Sequence, residues 1–127
     1  MIGHALNFDK TLLGIDAVAG GLLVGKDLNE HQLLDLLGRY AHCRLILSPI
    51  GAQGFVLGRG NLQLSPDVVR RIGIDNLIVV ATPAKLARTP TLRFDTGDTN
   101  LDSDLAAAGY VPVVIGYRAR RLVKASC

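Results

Sequence analysis

The sequence predicts an α+β domain with a substantial sheet. Short apolar and β-branched runs, about eight of them, alternate with Gly, Pro, Asn and Asp, the punctuation of strands. The segment Leu33–Tyr40 switches to helical spacing. A Ser-Pro-Asp start signal at Ser65 opens a further helix. Periodicity thus gives about eight strands and two or three helices, a count that also suits an open α/β sheet. At 127 residues the chain reads as a single domain, 1–127, able to bury a core without disulfide staples.

Residues 1–10 read as the last turns of an element, with Ile2, Ala5, Leu6 and Phe8 apolar. Thr11–Val18 is expected as a strand, Ala19-Gly20-Gly21 as a tight turn and Leu22–Val24 as the return. Apolar runs on either side of Gly-Gly are a hairpin signal. Asp27 or Asn29 caps the helix that carries Leu33, Leu34, Leu36, Leu37 and Tyr40, and Gly38 lies near its end. Arg44–Leu47 returns to strand. In the next helix Ser65 is the N-cap, Pro66 the first helical position and Gly73 the terminator. Asn76–Ala81 is continuously apolar after its first residue and reads as a strand buried on both faces. Thr82-Pro83 opens a short helix through Leu86, and Leu92–Phe94 is a short strand ending in Asp95-Thr96-Gly97-Asp98. Residues 98–108, acidic and then alanine-rich, read as a loop with a helical turn. Tyr110–Ile115 and Arg121–Val123 form a second hairpin around Gly116. No internal repeat or low-complexity linker occurs.

Composition narrows the function classes. With 49% hydrophobic and 20% charged residues the chain has the balance of a soluble globule. Aromatics make up 5% and Trp is absent, which argues against nucleic-acid binding by base stacking. A net charge of +3 does not demand a nucleic-acid partner. Two cysteines, Cys43 and Cys127, give no disulfide framework and point to a reducing compartment. Asn7, Asp9 and Lys10 interrupt any secretory leader, and no apolar run reaches the roughly 20 residues of a membrane span. The expectation is a cytoplasmic protein with no membrane partner.

The stretch with most chemical content is Ser48–Asn61. Gly51, Gly54, Gly58 and Gly60 fall within it, and each would weaken a helix or strand interior. They suit a bend with positive φ, or a place where something approaches the backbone closely. Amides exposed in such a bend form a concavity for phosphate or another anion; the alternative is a surface turn with no ligand. The spacing is neither a P-loop nor a dinucleotide fingerprint. Arg59, between Gly58 and Gly60, either clamps an anion in bidentate fashion or is a solvated loop arginine. Asp95-Thr96-Gly97 has the form of the aspartic-protease triplet, whose chemistry needs two carboxylates sharing a proton. One copy is present here, and Asp98 follows where a small residue is expected, so a turn with Asp and Thr capping backbone amides is the reading. His4, His31 and His42 lack metal-ligand spacing, and a zinc site needs three or four convergent ligands, so no metal site is expected. His42-Cys43 would point apart on any regular element. No Ser/His/Asp arrangement is detectable. Arg118, Arg120, Arg121 and Lys124 read as an edge strand protected by charge, with an anion-binding role as the alternative.

Taken together, Ser48-Pro49-Ile50-Gly51-Ala52-Gln53-Gly54-Phe55 and Gly58-Arg59-Gly60-Asn61-Leu62-Gln63-Leu64-Ser65-Pro66 resemble the AcoX-like branch of the ATP-NAD kinase family. Val79–Leu86, Asp95–Asp98, Gly109-Tyr110-Val111 and Gly116-Tyr117-Arg118 continue the resemblance, in one order from about Lys10 to Val123. The chain is also similar to the C-terminal domain of NAD kinases at large. Their Thr-Pro-Thr-Gly-Ser-Thr-Ala-Tyr signature, which lies against bound NAD, corresponds to Ser48–Phe55. Pro49 and Gly51 are kept, Ser48 stands for the first Thr, Ala52-Gln53-Gly54 replaces Ser-Thr-Ala and Phe55 stands for Tyr without its hydroxyl, so backbone contacts survive better than those of the lost hydroxyls.

The resemblance implies a layered, β-rich domain related to the NAD kinase C-terminal β-sandwich, with helices inserted. It implies NAD, and ATP or polyphosphate, as ligands. Pro49, Gly51, Gln53, Gly54, Phe55, Gly58, Arg59, Gly60 and Asn61 are then the candidate ligand-binding residues, and none is catalytic. The family's Gly-Gly-Asp-Gly motif belongs to an N-terminal α/β domain, and its Asp is associated with activating the acceptor hydroxyl; this chain has no counterpart. Asn29-Glu30 lies after the hairpin that the family's Asn-Glu pair precedes, so that role does not transfer. Phosphoryl transfer rests on positioning and charge neutralisation that this chain supplies only in part. The expectation is therefore the C-terminal part of an ATP-NAD kinase-like protein. It would serve ATP-dependent phosphorylation of NAD or a related metabolite with the missing N-terminal kinase domain, and be inactive alone. A homo-oligomer is expected because NAD kinases commonly assemble through this domain and an orphaned apolar face marks an interface. Two other readings stand beside it: a non-catalytic oligomerisation module, and a sugar-phosphate-binding α/β domain.

Overall fold

The structure is a computed structural model that describes residues 15–49, 54–58 and 62–126. The helical turns expected in 1–10 and the start of the strand at Thr11 lie outside them. The first hairpin is present: β1 (Ala17–Ala19) pairs antiparallel with β2 (Leu22–Gly25). Gly20 and Gly21 turn between them, both at positive φ. Asp27 also adopts positive φ, and its N–H donates to Asp16 Oδ1 at 2.9 Å. The following helix, α1 (Glu30–Arg39), is capped by Asn29. Its Oδ1 accepts from Gln32 N–H, and Gln32 Oε1 accepts from Asn29 N–H, each at 2.9 Å, closing a reciprocal capping box.

Six strands form the main sheet: β3 (Leu45–Leu47), β4 (Phe55–Leu57), β5 (Leu77–Val80), β6 (Thr91–Phe94), β7 (Tyr110–Gly116) and β8 (Ala119–Ser126), in the order β3-β5-β7-β8-β6-β4. Every neighbouring pair is parallel except the central hairpin β7/β8. The sheet is thus two parallel strips, β3-β5-β7 and β4-β6-β8, running in opposite directions and joined at that hairpin. Three further helices are inserted: α2 (Pro66–Ile72), α3 (Pro83–Arg88) and α4 (Thr99–Ala106). Ser65 and Thr82 cap the first two, with Pro at the first turn of each, as the sequence predicts. The domain is α+β, a β-rich layer with inserted helices.

Three expectations change. Helix α4 is longer than the single turn predicted, because Asp98 caps two of its amides and Leu101 and Leu105 are buried. Asn76 does not begin a strand; it closes a 3₁₀ turn, Ile74–Asn76, and its Nδ2 donates to Ile72 O at 2.7 Å. The basic segment at the C-terminal end is not an edge: β8 is hydrogen-bonded between β7 and β6.

Alternation along the strands explains Arg120 and Lys124 of that cluster, and β5. Leu45, Leu47, Val79, Val113, Val123, Leu92 and Phe94 are buried and join Leu33, Val68, Val69, Ile72, Leu86, Leu101 and Leu105 of the helices in one core. The opposite face is open. It carries Ile46, Tyr110, Pro112, Leu122, Arg93, Arg120 and Lys124, all exposed. Accordingly β5 is covered on one face only, with Val79 buried and Ile78 and Val80 half-buried. Pro112 is tolerated in β7 because pairing with β5 begins at Val113, one residue later.

Candidate functional site

The glycine stretch is not one bend. Its middle is strand β4, so Gly54 and Gly58 lie at opposite ends of that strand, four residues or roughly 13 Å apart. Pro49 is buried just beyond the C-terminal end of β3, and Gly54 precedes β4 on the far edge of the same end. Gly51, Gln53, Arg59, Gly60 and Asn61 lie outside the described residues.

Both described glycines meet the protein's own backbone. Gly54 has φ +75°, and a Cβ there would lie 2.6 Å from Thr91 O and 2.9 Å from Thr89 Cγ2. Its carbonyl accepts from Arg93 N–H at 2.9 Å, so it extends the β4/β6 pairing. Gly58 has φ +106°, and a Cβ would lie 1.8 Å from Asp95 O. The close approach that the glycines permit is therefore made by β6 and the turn after it. At these two positions the chain does not leave its backbone open to a ligand from that side. Phe55 is half-buried on β4, opposite Arg93. Thr89, 1% exposed, braces the Gly54 end, its hydroxyl donating to Lys85 O.

Gly58 faces the turn Asp95–Asp98, which carries the most developed polar network of the described residues. Thr96 donates to buried Asp102 through both its backbone N–H, at 2.9 Å, and its hydroxyl, at 2.6 Å. Asp98 N–H donates to Thr96 Oγ1 at 3.3 Å. Asp98 Oδ1 accepts from Asn100 and Leu101 N–H, while its Oδ2 pairs with Arg70 at 2.7 Å. Donation from the Leu101 amide, and then the Arg70 guanidinium, hold the Asp98 carboxyl below the usual carboxylate range. Asp98, which sequence reasoning noted only as a departure from a protease triplet, thus ties α2 to the start of α4. A cue existed in the Asp-x-Asn-Leu pattern of an N-cap ahead of apolar residues, read there as a loop.

A separate cavity of about 380 Å³ opens where α1 and α2 end, lined by residues of 37–44 together with Arg71, Ile72 and Asn76. His42 and Cys43 do not part company here, because 41–44 is irregular rather than helix or strand. Both line this cavity, and Cys43 Sγ lies 3.8 Å from Tyr40 O. Among the described residues no group of three His, Cys, Asp or Glu side chains converges as metal ligands.

The described residues thus form an α+β domain in which glycines at both ends of the edge strand β4 lie against β6 and the acidic turn that follows it. The model of the ATP-NAD kinase C-terminal domain matches residues 1–125. The chain belongs to that family and is a kinase-related domain. No curated protein matches it, and no solved structure does. No helix among the described residues is long and apolar enough to cross a membrane.

Proposed function

We propose that this chain is the nucleotide-binding C-terminal domain of an ATP-NAD kinase-like protein of the AcoX-like branch. In that reading it serves ATP-dependent phosphorylation of NAD or a related metabolite, alongside an N-terminal α/β domain that carries the catalytic Asp. The observation that carries the proposal is the family match over 1–125, nearly the whole chain. In this reading Gly54 and Gly58 anchor β4 against β6, and ligand contacts come from Pro49, Gly51 and Gln53 before that strand or Arg59, Gly60 and Asn61 after it. Phe55 stands between the two groups. The sequence carries no Gly-Gly-Asp-Gly motif, and in this reading the chain transfers phosphate only together with the domain that does.

Isothermal calorimetry with NAD, NADP, ATP and polyphosphate tests this directly. Saturable heat with one of them, lost in Arg59→Ala, is the expected result. Absence of heat with all four at millimolar concentration would remove the nucleotide role from this chain.

A second reading, assembly, is favoured by one observation: the open face of the sheet, where Leu122 is 68% and Tyr110 58% exposed. Under it the chain self-associates, or covers its N-terminal partner domain, through this face. Light scattering of the chain and of Leu122→Glu distinguishes the cases. A wild-type chain that is already a clean monomer would sink self-association.

A further inference from the structure

We propose that the cavity where α1 and α2 end is a second binding site, for a small phosphate-bearing metabolite, distinct from the glycine stretch. Several cationic or potentially cationic side chains gather at this corner, and the structure sorts them. Arg39 is occupied by Asp35, at 2.6 Å, and Arg70 by Asp98, at 2.7 Å. Arg44, Arg71 and His42 line the cavity, and among the described residues none has a hydrogen-bond or ion-pair partner. No carboxylate lines the cavity. Unshared guanidinium groups in a concave site with no acid suit phosphate, which accepts bidentate donation.

The obvious competing use of these arginines is to neutralise the negative ends of the two helices. The protein already meets much of that need itself. At the end of α2, Val69 O accepts from Gly73 N–H, Gly73 O from Asn76 N–H and Ile72 O from Asn76 Nδ2, at 2.9, 3.0 and 2.7 Å. At the end of α1, Leu36 O accepts from Tyr40 N–H at 3.2 Å. These carbonyls have donors, so the two arginines are left for an external anion. The volume exceeds that of a bare phosphate, falling in the range of about 300–1,000 Å³ that small-molecule sites occupy. The lining is mostly polar, with Leu37, Tyr40 and Ile72 beside the charged groups.

The test is a ¹⁵N NMR titration of the whole chain at constant ionic strength, with arms for inorganic phosphate, glucose 6-phosphate and AMP. The expected result is saturating shifts confined to the amides of 41–44 and 72–76, strongest with one of the two esters. Arg44→Gln and Arg71→Gln each weaken binding about tenfold or more, the loss of one charge-assisted hydrogen bond. Arg71→Lys retains part of the affinity, and Arg59→Ala leaves it unchanged, which separates this site from the glycine stretch. Both arginines are exposed, so melting temperatures of the variants should match the wild type. Linear shifts equal to those produced by chloride would overturn the proposal. So would saturation confined to 54–58, or an affinity indifferent to both glutamine variants.

Discussion

At Gly58 a methyl group would sit 1.8 Å from the Asp95 carbonyl oxygen, on a backbone already at φ +106°. Gly97 has φ +89° but open space where its Cβ would be. The pair separates steric exclusion from backbone strain. Gly97→Ala should cost about 1 kcal/mol, the strain alone, while Gly58→Ala should cost ~3 kcal/mol or more because β4 must also move away from β6. Urea unfolding of both variants measures the difference. Asp98 offers a prediction in pH. Its folded pKa lies below its unfolded one, so the stability it contributes is present above the ordinary carboxylate range and is lost as pH falls through the lowered folded value. Asp98→Asn keeps an N-cap acceptor but removes the charge facing Arg70. The stability gap between Asp98→Asn and wild type should therefore be present at neutral pH and close under acid. A gap that persists below both pKa values would show that the charge was not its source. At this scale the sequence was a partial guide. Glycine chemistry marked 54 and 58 as special, but what approaches them is β6, more than thirty positions away in the chain, and no local pattern reveals that.

Elements were most legible where their signals are local. The caps Asn29, Ser65 and Thr82 act on amides three residues ahead, so short sequence windows contain both partners. Asn29→Ala should lower stability by about 1 kcal/mol through loss of the capping box in α1, read as a drop in thermal midpoint. Strand placement was harder to read. The charges of Arg120 and Lys124 suggested an edge, and yet β8 is internal because they fall on the exposed face of the sheet, which can carry cations anywhere across its width. The other face holds the core. Leu92 is fully buried on β6, and Leu92→Ala should cost ~2–5 kcal/mol, checked by the same melts. Lys124→Ala, on the open face of the neighbouring strand, should be nearly silent in folding.

The whole molecule joins strands that are far apart in sequence. Consecutive strands β3 to β8 fall alternately in the two parallel strips, so chain neighbours are sheet neighbours only at β7/β8. Family resemblance gave the fold class and the kinase relationship, whereas the strand order needed coordinates. The arrangement has a consequence for biosynthesis. Until β7 and β8 have been made, the pairs β3/β5 and β4/β6 have nothing to clasp one to the other. Removal of residues 119–126 should thus leave a collapsed, protease-sensitive polypeptide rather than a shortened native one, as limited proteolysis and near-ultraviolet dichroism would show. During synthesis the sheet stays unjoined until β8 emerges, and its exposed strands need shelter from aggregation until then.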